Sequence, residues 1–291
     1  MSPDGLVATQ GLSANELDAI NELADICNAH DHGNLKLNRD MLATRPRDAT
    51  NDFLYYADGL LVGFLPLFTF NAIEAEVSGM VHPAYRRRGI FTVLYHAARR
   101  HCENSGFQRM LFMVERSSEA GQAFVAQIGA TYQHSEYLMT LTTPQPVPAK
   151  HPTMQLRPAT RADAPTIVHI LMAAFHDPDD NPERFAKERM SDPASEWLLA
   201  SDGDAPFGTL CLFTTTQETF IFAFGVLPAY QGQGYGAQIL GLTIAKALAT
   251  QPQRVLLEVA TENANALRLY TRCGFEQTTT YDYAMLRLAQ P

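Results

Sequence analysis

At 291 residues, 46 % hydrophobic and 18 % charged, the chain is about twice the size of a typical domain and has a globular composition. Its 22 Lys and Arg against 31 Asp and Glu give a net charge of −9, divided as −4 over residues 1–154 and −5 over residues 155–291. Neither half carries a polybasic run, which argues against a nucleic-acid partner, because neutralising phosphates takes clustered cations.

In chain order, Ser13-Ala-Asn-Glu16 is a capping-box pattern ahead of Leu17, Ile20, Leu23 and Cys27, which share one helical face. Strands are predicted at 53–56 and 60–68 around an Asp58-Gly59 hairpin turn. A glycine-bearing loop at 81–89 then leads into a helix, a strand at 110–114, a second helix and a terminal strand. Thr143-Pro-Gln-Pro-Val-Pro-Ala-Lys-His-Pro152 holds four prolines in ten residues and reads as a semi-extended linker. Beyond it come a short strand at 155–158 and a helix at 164–175, with Ile167, Ile170, Leu171, Ala174 and Phe175 at helical spacing. Strands at 196–200 and 207–213 flank Asp202-Gly203, and the stretch 220–226, apolar on both faces, is predicted to be a central strand. A helix at 237–248, a strand at 255–259, another helix and terminal strands complete the half. This order predicts an α/β fold of mixed, mostly antiparallel sheets flanked by helices, not a doubly wound parallel sheet.

Cys27, Cys102, Cys211 and Cys273 are scattered, with neither the paired spacing of a zinc site nor a disulfide framework. His30-Asp31-His32 lacks a third ligand and reads as an exposed loop, so no metal is expected. The first residues lack the basic and apolar regions of a signal peptide, and the longest apolar stretches, 60–68 and 220–227, are too short to span a bilayer. A cytoplasmic protein without a membrane partner is the expectation; the sequence leaves its oligomeric state open.

An internal repeat organises the two halves. Val81-His82-Pro83-Ala84-Tyr85-Arg86-Arg87-Arg88-Gly89 lies over Val226-Leu227-Pro228-Ala229-Tyr230-Gln231-Gly232-Gln233-Gly234 at an offset of 145, which also carries Gly63 onto Gly208 and Gly129 onto Gly274. Two homologous domains are predicted, 1–143 and 155–291, joined by the linker at 144–154.

Between a buried strand and a helix, Gln231-Gly232-Gln233-Gly234-Tyr235-Gly236 exposes backbone N–H groups with little Cβ in the way, the elements of a pyrophosphate cradle. A tight strand-to-helix turn that binds nothing has the same composition. The dinucleotide fingerprint also fits, with Gly232, Gly234 and Ala237 in place and Glu258 about twenty residues on. A dinucleotide fold, however, usually opens with this loop, and the first copy keeps only Gly89 among the glycines.

The segment that follows is Leu257-Glu258-Val259-Ala-Thr-Glu-Asn263-Ala-Asn-Ala266-Leu-Arg-Leu269-Tyr270-Thr-Arg-Cys-Gly274-Phe275. Gln-x-x-Gly-x-Gly after a strand, then Asn-x-x-Ala-x-x-Leu-Tyr-x-x-x-Gly-Phe, resembles the GNAT superfamily of N-acetyltransferases over essentially all of 155–291, and more weakly, through the repeat, over 1–143. The Glu258–Tyr270 motif is similar to that of ribosomal-protein alanine N-acetyltransferases. The resemblance implies acetyl-CoA as co-substrate, with Gln231, Gly232, Gln233, Gly234, Tyr235 and Gly236 on its pyrophosphate. It further implies two central strands splayed around pantetheine and an amide among Phe224–Val226 polarising the thioester carbonyl; Asn263 would touch pantetheine, or serves only as the cap of the next helix.

The same resemblance makes Tyr270 the acid that protonates the departing thiolate and Glu258 the base that takes the amine proton. For Tyr270 the alternative is an amphipathic core tyrosine; for Glu258, a solvated carboxylate or one paired with Arg254 or Arg268. The acidic run His176-Asp177-Pro-Asp179-Asp180-Asn-Pro-Glu183 would attract a cationic amine of a small molecule or peptide, or is simply solvated. The tandem layout is also similar to that of mycothiol synthases, on architecture alone. An N-acyltransferase working in its second half is the expected function; a non-catalytic CoA-binding scaffold is the alternative. In the first half Val125, Met113 and Ser118 stand where Tyr270, Glu258 and Asn263 stand in the second.

Overall fold

The computed structural model describes residues 4–45, 47–175, 190–203, 205–215 and 218–289. The first half contains β1 (Gly5–Thr9), α1 (Ala14–Asp31), α2 (Arg39–Thr44), β2 (Asp52–Ala57), β3 (Leu60–Phe68), β4 (Glu74–Val77), β5 (Met80–Val81), α3 (Ile90–Asn104), β6 (Arg109–Glu115), α4 (Glu119–Gln127) and β7 (Thr131–Leu141). The second contains β8 (Met154–Pro158), α5 (Ala164–Phe175), β9 (Ser195–Asp202), β10 (Pro206–Thr214), β11 (Glu218–Val226), α6 (Tyr235–Ala249), β12 (Arg254–Ala260), α7 (Ala264–Cys273) and β13 (Phe275–Arg287). The capping box at Ser13 and Glu16 forms as the sequence predicts, and Ile20, Leu23 and Cys27 are buried.

The repeat divides the chain at 143 and 155, but the compact units divide it differently. One comprises Met1–Ser135 with Thr279–Pro291, the other Glu136–Thr278. The reason is strand pairing. In the first unit β1, β2, β3, β4 and β6 lie in order, and the neighbour of β6 is the C-terminal part of β13. In the second unit β8, β9, β10, β11 and β12 lie in order, and the neighbour of β12 is the C-terminal part of β7. Each sheet is antiparallel except at one parallel pair, β4 with β6 and β11 with β12.

The offset of 145 read from the sequence holds where β3 meets β5 and where β6 meets β13, and falls to 144 over β4 and β11, because β11 carries one extra residue at its bulge. Leu111 faces Met285 where Leu256 faces Thr140. Gly63 faces Val81 where Gly208 faces Val226. The anchor glycines have a packing reason. A Cβ on Gly63 would stand 2.9 Å from Ile90 Cγ2, and one on Gly208 2.9 Å from Ile239 Cδ1, so only glycine lets α3 and α6 close onto their strands.

Residues 279–287 are held in the first unit by more than the ladder. Asp282 accepts hydrogen bonds from Ser135 Oγ at 2.6 Å and Arg116 Nη2 at 2.6 Å. Ala284 and Leu288 belong to the same buried cluster as Leu94, Met110 and Phe112. The proline-rich stretch has neither helix nor strand, yet it is no free tether: Gln145 N donates to Cys273 O, and Val147 packs so closely on Gly241 that a Cβ there would meet it at 2.9 Å.

Deleting residues 279–291 should therefore strip amide protection from β6 while β12, covered by β7, keeps its own; hydrogen exchange measured by mass spectrometry distinguishes the two strands. Undiminished protection in β6 would contradict the pairing described.

Candidate active site

The site in the second unit begins where two strands part. Parallel pairing of β11 with β12 runs from Glu218 opposite Arg254 to Ile221 opposite Leu257 and stops there. On the other edge of β11, Ala223 and Phe224 together oppose the single residue Leu210, and Ala223 has φ of +51°. This bulge turns the strand away from β12. Residues 222–226 thus face a gap, and on a strand expected to be covered on both faces Phe220, Phe222 and Phe224 are only half-buried. Val226 lies in this stretch, and its carbonyl accepts from Gln231 Nε2 at 2.8 Å.

The glycine loop sits at the mouth of the gap. Gly232 and Gly234 have φ of +73° and +97°, the left-handed region that glycine enters without strain, and Gly234 caps α6 without a side-chain hydrogen bond. Among the described residues, no hydrogen bond uses the N–H groups of residues 232–237, whereas Gln231 N donates to Pro228 O and Gln238 N to Gly234 O. Unpaired N–H groups converging at a helix N-terminus fit a pyrophosphate. A Cβ on Gly232 would meet nothing within 4 Å, and one on Gly236 would project between Leu269 and Phe224, at 3.5 and 3.9 Å. Tyr235 meets this cradle only through its N–H. Its ring lies in the core, stacked 3.6 Å from His151, and its hydroxyl donates to Asp202 at 2.8 Å. The two glutamines likewise turn back onto the loop, Gln233 Nε2 donating to Ala229 O at 2.6 Å.

Tyr270, on α7, is 8 % exposed and packs with Leu257, Val259 and Phe275. Burial pushes its pKa up to about 12, so the phenol stays protonated at neutral pH. Glu258 is the first residue of β12 past the paired stretch, opposite Leu138 and on the other face from Leu257 and Val259. Arg254 is engaged by Glu218, and Arg268 by Asn265. Asn263 caps α7, its Oδ1 accepting from Ala266 N at 3.1 Å. The acidic run at 176–183 lies outside the described residues.

In the first unit the backbone of the loop is the same and the side chains differ. Arg86 Nε donates to Val81 O at 3.0 Å and Arg88 Nη2 to Ala84 O at 3.0 Å, the bonds Gln231 and Gln233 make in the second unit. Arg86 is also held bidentately by Asp31, at 2.7 Å each. Arg87 takes the left-handed position of Gly232, with φ of +63°. Phe91 replaces Gly236: its ring meets Phe124 edge-on at 4.7 Å and fills the space beside Gly79, where a Cβ would come within 2.8 Å. Val125 and Met113 are buried where the acid and base would stand, and Ser118 Oγ caps α4 by accepting from Gly121 N at 3.2 Å. A cavity of about 490 Å³ remains, lined by Ser78, Met80, Arg86, Phe91, Met113 and Val125 among others.

The chain matches the acetyltransferase (GNAT) family over residues 17–130 and again over 164–275, and it belongs to that family. It is an acetyl-CoA-dependent N-acetyltransferase built from tandem GNAT regions. It is 30 % identical over 301 residues to a mycothiol acetyltransferase of Kineococcus radiotolerans, covering 96 % of each chain. A similarly named enzyme of Brachybacterium faecium aligns at 29 % identity over 70 % of this chain and 65 % of its own length. The N-alpha-acetyltransferase RimI of Mycobacterium tuberculosis is 30 % identical over 40 % of this chain and 75 % of its own, in keeping with the motif resemblance. A GCN5-related N-acetyltransferase from Sphaerobacter thermophilus shares the fold, with a TM-score of 0.80 and 21 % identity over 100 % of this chain and 99 % of its own. Among the described residues no helix is long and apolar enough to cross a membrane, and no three His, Cys, Asp or Glu side chains group as metal ligands.

No pattern in the sequence marks the environment of Gly234, where Lys150 and His151 of the proline-rich stretch lie against the loop. Nor does the sequence mark Gln231 and Gln233 as braces of the turn, which their bonds to Val226 O and Ala229 O make them. Replacing Gly234 with valine forces a branched side chain into left-handed backbone at the cradle. The thermal stabilisation that acetyl-CoA gives the wild type should then fall to the level of any first-unit site. A response to NAD and none to CoA in the wild type would favour the dinucleotide alternative.

Proposed function

We propose that the chain transfers an acetyl group from acetyl-CoA to a primary amine by direct attack in the second repeat, 155–291, and that the first repeat, 1–143, does not turn over. The observation that carries this reading is the parting of β11 from β12, with Glu258 at the edge of the gap and the protonated phenol of Tyr270 on the helix beside it. At the equivalent gap of the first repeat stand Met113 and Val125, which transfer no protons.

Acetyl-CoA supplies the activated acyl group. The N–H groups of residues 232–237 hold its pyrophosphate, with Gln231 and Gln233 bracing the loop and Asn263 fixing the start of α7. An amide in the 224–226 stretch donates to the carbonyl oxygen as negative charge builds there. Glu258 takes the proton of the attacking amine through water, and Tyr270 gives its proton to the departing sulfur. As an acceptor, a small cysteine-bearing amine is the first to test, because the relatives that align over most of the chain are named mycothiol acetyltransferases.

Tyr270→Phe should lower kcat about a hundredfold with CoA affinity nearly unchanged, since it removes a proton donor and little volume. Because burial holds the phenol's pKa near 12, kcat should show no alkaline fall from Tyr270 below about pH 10. Glu258→Gln should cost most at low pH, where an amine of pKa about 8–10 is largely protonated. Steady-state rates across pH with a thiol-release readout check all three; unchanged rates in both variants would remove these roles.

The working half is tested by disabling each loop in turn. Gly234→Val should abolish turnover, whereas Gly89→Val should leave kcat within about twofold of wild type. Turnover that survives the first change and is lost on the second would assign the chemistry to the first repeat.

A further inference from the structure

The second repeat's loop carries no charge of its own. From Thr219 through Ala245 there is no Lys or Arg, whereas the corresponding loop of the first repeat has Arg86, Arg87 and Arg88. A pyrophosphate held by N–H groups alone keeps its full double charge, which leaves a place for one cation at the cradle.

The structure provides one from an unexpected quarter. The stem of Lys150, in the proline-rich stretch, crosses Gly234: a Cβ built on that glycine would lie 3.3 Å from Lys150 Cδ. Lys150 is exposed, and the ammonium lies two bonds beyond that carbon. The segment is fixed by the residue that follows. His151 N donates to Gln238 Oε1 at 2.9 Å, and Gln238 Nε2 donates back to His151 O at 2.8 Å, with Gln238 7 % exposed. The His151 ring lies nearly parallel to Tyr235, at 11°, and its Nε2 is 3.1 Å from the Gln233 carbonyl. A buried, two-way amide clamp and a ring stack are more than a passing linker needs. They hold Lys150 at the helix N-terminus where the unpaired N–H groups converge.

We propose that Lys150 is a phosphate-binding residue of the catalytic repeat, supplying from the inter-repeat segment the cation that the loop lacks, on the pyrophosphate of CoA. Gln238 and His151 are its positioning residues. The inference rests on the reading that the 231–236 loop binds CoA.

The test is calorimetric titration of CoA and of 3′-dephospho-CoA into the full chain. The wild type should bind both. Lys150→Ala should weaken, about tenfold, the class of sites that Gly234→Val removes, and Lys150→Arg should restore it to within about twofold. The loss should be the same for CoA and dephospho-CoA, because both carry the pyrophosphate. Gln238→Leu, which breaks the clamp but leaves the ammonium, should weaken binding in a Lys150 background and add little to Lys150→Ala. A wild type that fails to bind CoA would overturn the loop reading and this inference together. Wild-type binding that Lys150→Ala leaves unchanged would overturn the inference alone. A loss confined to CoA would remove the pyrophosphate assignment.

Discussion

The candidate site of the second unit depends on one interruption in a ladder. Had the parallel pairing of β11 with β12 continued past Ile221 and Leu257, their backbone groups would satisfy one another and leave no room for a third chain-like molecule. The bulge of Ala223 and Phe224 against Leu210 lies just past the end of this pairing and bends the strand there. The candidate groups are all placed by reference to that gap. The loop of unpaired N–H groups follows directly from the end of β11, Glu258 is the first residue of β12 released from the ladder, and Tyr270 sits on the helix that packs against the same strand. In the first unit the ladder also ends at the equivalent residue, with Val77 opposite Phe112. The opening therefore belongs to the fold, and what occupies it belongs to the side chains.

The two repeats show how little has to change. Around the first gap the aromatic ring comes from the helix, Phe91, against a glycine in the strand, Gly79; around the second it comes from the strand, Phe224, against a glycine in the helix, Gly236. Volume is conserved, so both cores stay packed, but only the second arrangement keeps bulk away from the N-terminus of the following helix. Arg86 and Arg88 repeat the bracing bonds of Gln231 and Gln233. Their place in the sequence suggests a phosphate site; their hydrogen bonds, and the bidentate hold of Asp31 on Arg86, make them first of all parts of the turn.

Much of this was legible in the sequence because it rests on local rules. The capping box at Ser13, the Asp-Gly turns, the glycine at 63 and 208 and the offset of the repeat all follow from short-range constraints on backbone and packing. The turn at Gly232 and Gly234 was legible for the same reason, since glycine enters left-handed backbone without strain. Contacts between residues far apart in the chain were not. Nothing at 144–154 predicts that His151 would stack on Tyr235 or that Gln238 would clamp it, because no periodicity marks a segment docked by its own irregular backbone. Tyr235 reads as part of the pyrophosphate loop, and nothing in its sequence neighbourhood tells that its ring stacks on His151 and its hydroxyl bonds Asp202.

Pairing of the last strands was hidden for a deeper reason. An internal repeat predicts that each copy closes its own sheet, and the pattern of β7 and β13 is equally compatible with either partner, since both present the same alternation at the same register. Which partner is taken changes what a repeat is. The parallel strand β6 is covered by residues encoded after α7 of the second repeat, and β12 by residues encoded before the linker. A chain that lost its first repeat would lose 136–141 and leave β12, the strand carrying Glu258, with an open edge. The last strand of the first repeat thus completes the sheet in which β12 and the second glycine loop lie, whatever side chains stand at the first repeat's own gap.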